Sequence, residues 1–98
     1  VVEIDKLLLE ITAEMRYLLR DKTVELIVET HPYQCSISAV AARIVLGNLI
    51  RNAFQHTWEG QVIISQQGSQ ISIVNRQFNA DIDVAPTELG FGLGQLGG

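Results

Sequence analysis

Leu7, Leu8, Ile11, Met15, Leu18 and Leu19 recur at spacings of three and four, with Lys6, Glu10, Glu14 and Arg20 mainly opposite them. That period predicts an amphipathic helix over 7–22, capped by Asp5, with Lys22 suiting the dipole at its end. Val24, Leu26 and Val28 then alternate with Glu25, Ile27 and Glu29, which predicts a half-buried strand. His31-Pro32-Tyr33 stops it, because proline donates no hydrogen bond and restricts its predecessor. A second helix is predicted over 38–57. Ser38 is its cap, and Val40, Ile44, Leu46, Leu49, Ile50, Ala53 and Phe54 form a broad apolar surface. The β-rich runs 61–66 and 70–75, separated by Gln67-Gly68-Ser69, predict an antiparallel hairpin. Beyond it, 76–89 is polar and irregular, and a glycine-rich run closes the chain. The order helix, strand, helix, hairpin predicts an α+β fold: a two-layer sandwich with helices on one face of a mixed sheet.

Composition narrows the function classes. Ninety-eight residues allow one domain with one modest core, and 47% hydrophobic content with a net charge of −4 excludes intrinsic disorder. Seven basic against eleven acidic residues argue against a nucleic-acid partner. The longest apolar run is four residues, Ala39 to Ala42, so no membrane span is predicted, nor direct membrane contact. The single Cys35 excludes an internal disulfide and a cysteine-built metal site, and the reducing interior of a cell suits it.

Asn48, Asn52 and His56 lie four apart and therefore stack along one face of the second helix, bordered by Gln55. Asparagine competes for backbone hydrogen bonds and is unusual in helix interiors, so this stripe needs a partner. Three readings fit: an exposed polar face, a buried hydrogen-bonded network, or an Asn52 amide oxygen offered to Mg²⁺, which prefers hard oxygen ligands.

The run Asn48-Leu49-Ile50-Arg51-Asn52-Ala53-Phe54-Gln55-His56-Thr57 closely resembles the N box of sensor histidine kinases, which use the Bergerat fold shared with gyrase and MutL ATPases. Gly90-x-Gly92-Leu93-Gly94 resembles the same family's second glycine box, at a sensible distance and in the family's order of elements. The resemblance implies a cytoplasmic ATP-binding catalytic domain over 1–98, with a lid at about 76–89. It implies that Asn52 binds Mg²⁺ bridging the ATP phosphates and that Asn48 supports the nucleotide and metal. His56 and Thr57 would lie near ribose and phosphates. Gly90, Gly92, Leu93 and Gly94 would form a loop whose backbone amides approach the phosphates ahead of a helix. Outside the resemblance, His56 reads as a helix-end residue.

Departures from the family bear on activity. The first glycine box, Asp-x-Gly-x-Gly, corresponds to Asn75-Arg76-Gln77-Phe78-Asn79, so the adenine-binding carboxylate becomes an amide and both glycines are lost. Asn75 keeps an acceptor for the adenine amino group without the charge. Asn48 stands where hydrolysing relatives carry a glutamate base, and an amide accepts no proton at neutral pH. Phosphoryl transfer to a protein is therefore favoured over ATP hydrolysis. The implied partners are a histidine on a separate dimerisation domain and a response regulator; His31, in a Pro-containing turn, is not that acceptor. The family continues with a further helix and strands, so the domain is expected to be incomplete at its carboxy terminus. An exposed sheet edge would favour self-association. The alternative function is a degenerate regulatory or protein-interaction module that binds nucleotide weakly.

Overall fold

The computed structural model describes residues 1–77 and 87–92, with side chains through 77. Strand β1 (Val2–Glu3) leads into helix α1 (Ile4–Met15), which tightens into a 3-10 turn over Arg16–Leu19. Strands β2 (Thr23–Glu29) and β3 (Gln34–Cys35) precede helix α2 (Ala39–His56). Strands β4 (Glu59–Gln67), β5 (Gln70–Gln77) and β6 (Thr87–Gly92) follow. The four-stranded sheet runs β2-β4-β5-β6, with β2 parallel to β4 and the other pairs antiparallel; β1 and β3 form a separate two-residue ribbon.

One face of the sheet carries the core. Val62 and Ile64 on β4 alternate with half-buried neighbours, as do Ile71 and Ile73 on β5. They meet Ile4, Leu7, Leu8 and Ile11 of α1 and Ala42, Leu46, Ile50 and Phe54 of α2 in one cluster. The α+β sandwich, with its helices on one face of a mixed sheet, is thus as the sequence predicts. Arg43 of α2 bridges Glu10 and Glu14 of α1 across the outside of the helical layer. Those pairs are exposed and contribute about 0–1 kcal/mol each.

Several local expectations are corrected. Asp5 does not cap α1: Glu3 holds the cap position without a side-chain bond, while Asp5 in the first turn accepts from the Tyr33 amide at 3.4 Å. The helix ends at Met15, and Lys22 lies beyond a turn in which Asp21 takes a positive φ of 65°. Ser38 does cap α2, accepting from Ala41 N at 3.2 Å. Val40 and Ile44 are 70% and 59% exposed rather than core, because they share the i,i+4 line of Asn48 and Asn52. The lid expected at 76–89 begins and ends in strand: 76–77 close β5 and 87–89 open β6, while 78–86 lie outside the described residues. Gly90 and Gly92 lie in β6, which is an edge strand among the described residues. The expected loss of carboxy-terminal elements concerns positions outside the described residues.

Candidate functional site

Helix α2 presents the asparagine stripe outward. Asn48, Arg51, Asn52, Gln55 and His56 are all exposed, and the side chains of Asn48 and Asn52 make no hydrogen bond among the described residues. Of the three sequence readings, a buried network is therefore excluded. Two neutral amides one turn apart offer hard oxygens without charge. Among the described residues no three His, Cys, Asp or Glu side chains cluster to hold a metal. A cation at the stripe would therefore draw its remaining ligands from a bound phosphate chain, the usual habit of Mg²⁺.

The far end of α2 is fastened from three sides. A helix leaves its last four carbonyls without intrahelical partners. In α2 these belong to Ala53, Phe54, Gln55 and His56, and each accepts from a side chain. Thr57 Oγ1 donates to Ala53 O at 2.8 Å. Lys22 Nζ donates to Phe54 O at 2.7 Å and to Gln55 O at 3.1 Å. Gln77 Nε2 donates to His56 O at 2.6 Å, while its Oε1 accepts from Trp58 N at 3.2 Å. Burial lowers the Lys22 pKa from its ordinary value, and its ammonium lies 4.2 Å from the Trp58 ring centroid. Trp58 sits at the junction of helix and hairpin and is 66% exposed.

This arrangement sorts the residues implied by the resemblance. Asn48, Asn52 and His56 share α2 and reach solvent. Thr57 is fully buried, and its hydroxyl donates to Ala53 O, so it helps to close the helix. Asn75 is half-buried on β5, in register with Val62 and in phase with Ile71 and Ile73, which puts it on the helix-facing side of the sheet. Gly90 and Gly92 lie within strand β6, where they pair with Ser72 and Gln70 of β5, so Gly90 lies about 10 Å along the strand from Thr87, the partner of Asn75. Leu93 and Gly94 lie outside the described residues. Lys22 and Gln77 were not legible as partners of the α2 end, since each acts on it from another element, 32 and 21 residues away.

No family model matches the chain, and no curated protein matches it. Among solved structures it is similar to the catalytic domain of the histidine kinase ThkA in a nucleotide-free form. The TM-score is 0.55 at 16% identity, over 74% of this chain and 53% of that chain. The chain thus spans about half the length of that structure. At this identity the likeness is one of fold alone: the α+β architecture of this chain is similar to that of the matched structure over the part it covers.

Proposed function

We propose that this chain is the ATP-binding catalytic domain of a two-component sensor histidine kinase, holding MgATP so that its γ-phosphate reaches a histidine on a separate dimerisation domain. The observation that carries the reading is the exposed, unengaged Asn48–Asn52 pair on a helix of this fold. Asn52, supported by Asn48, would hold Mg²⁺, and the ion supplies charge neutralisation on the phosphates when bound. Asn75 offers an amide oxygen to the adenine amino group. Neither asparagine serves as a general base, so the chain's own contribution is binding and orientation. The phosphoryl group would then pass from that histidine to a response regulator, and the domain would work in the cytoplasm.

A second reading, a nucleotide-poor regulatory module of the same fold, is favoured by one observation: Gln77, at the first glycine of the family's box, has both amide atoms engaged, donating to His56 O at the end of α2 and accepting from Trp58 N just past it. Titration calorimetry of ATP with and without Mg²⁺ separates the two. Magnesium-dependent binding is expected of the kinase domain. A folded chain that binds neither form establishes the regulatory module.

A further inference from the structure

The nucleotide reading divides the site between two elements. Helix α2 carries the phosphate-side oxygens of Asn48 and Asn52, and β5 carries the adenine-side acceptor of Asn75. A ligand that spans both gains affinity only if their spacing is fixed before it arrives.

One side chain joins the two elements directly. Gln77, two residues beyond Asn75, donates to the His56 carbonyl at the end of α2 and accepts from Trp58 N just past it. Both ends of its amide are in use, so the group is held in one orientation. The neighbouring backbone is equally constrained. Gly60 pairs with Gln77, and a Cβ at Gly60 would lie 1.9 Å from Arg76 O, so β4 passes β5 here as closely as chains allow. Lys22 also fastens the end of α2, but from the turn before β2, and it makes no bond to β5.

We propose that Gln77 is a positioning residue that holds the α2 and β5 halves of the nucleotide site in register. This rests on the nucleotide reading above. Where the family resemblance implies the first glycine of the first glycine box, this chain has a strut.

The test compares MgATP, which spans both halves, with adenosine, which reaches the β5 half alone. Affinities are measured for the wild type, Gln77→Leu, Gln77→Glu and Lys22→Met, each shown by circular dichroism to be folded at the working temperature. Gln77→Leu removes both bonds. Gln77→Glu keeps the acceptor for Trp58 N and loses the donor to His56 O, and so serves if the leucine variant does not fold. The expected result is a loss of MgATP affinity of about tenfold in Gln77→Leu and at least as large a loss in Gln77→Glu, whose carboxylate faces the His56 carbonyl at the negative end of α2. Adenosine affinity stays unchanged in both, and Lys22→Met binds both ligands as the wild type does. MgATP binding by the Gln77 variants within about twofold of wild type overturns the assignment alone. Equal loss of both ligands also overturns it, because it marks a general collapse of the site. A wild type that binds neither ligand overturns the nucleotide reading, and this assignment with it.

Discussion

Lys22 and Trp58 form a cation–π pair, with the ammonium 4.2 Å from the ring centroid while it donates to two carbonyls at the end of α2. Replacing Lys22 with Met keeps the stem and removes the donors. The expected cost is about 1–2 kcal/mol in urea unfolding, from lost charge-assisted bonds and the cation over the ring. Burial lowers the Lys22 pKa below the unfolded 10.5, so between the two values the unfolded chain holds the extra proton. The lysine's contribution then rises with pH through that window. A contribution that falls with pH would contradict this sign.

Gly60 has a φ of 153° and no room for a side chain beside Arg76 O. Gly60→Ala is expected to cost about 3 kcal/mol or more, since the obstacle is backbone rather than a flexible side chain. A thermal midpoint equal to wild type would refute the close approach.

Gln66 is 1% exposed and pins two loops together. It accepts from His31 N at 2.8 Å and donates to Gly68 O at 2.7 Å. Gln66→Leu leaves both backbone groups unpaired, which costs about 1–3 kcal/mol by chemical denaturation. Hydrogen exchange at the His31 amide should quicken in parallel.

Asn52→Ala separates function from stability. The side chain is exposed and unbonded among the described residues, so stability should stay within about 0.5 kcal/mol of wild type. MgATP affinity should drop to the level measured without magnesium. Retained magnesium dependence would remove Asn52 from the metal site.

Asn75→Asp restores a charged acceptor on the helix-facing side of β5. A charged acceptor is worth about 1.5–3 kcal/mol against about 1 for a neutral one, so ATP should bind up to about tenfold more tightly. Unchanged affinity would mean that the adenine amino group does not meet residue 75.

What the sequence makes legible follows from how local each cause is. The helices, the first strand and the hairpin are written in periods of 3.6 and 2, and the buried Leu8, Ile50 and Ile64 follow those periods. The asparagine stripe is likewise local, since i,i+4 spacing alone puts Asn48 and Asn52 on one side of α2. Apolar character misleads at Val40 and Ile44, because that same line carries them outward. The fastening of the carboxy-terminal end of α2 was hidden for the opposite reason. Lys22 and Gln77 reach it only after β2 and β5 have paired with β4, and no local pattern records that geometry. Thr57 belongs to the N-box resemblance by position, yet its hydroxyl answers to the helix end.

The parallel partnership of β2 with β4 has a consequence during synthesis. Thr23 pairs with Glu59, 36 residues later, whereas the turn of the β4–β5 hairpin joins Gln67 to Gln70. At ribosomal rates β2 therefore waits about two to seven seconds for its partner to emerge. Through that interval Val24, Leu26 and Val28 have no sheet to cover, and Glu25 and Glu29 are the charges that discourage pairing with a neighbouring nascent chain.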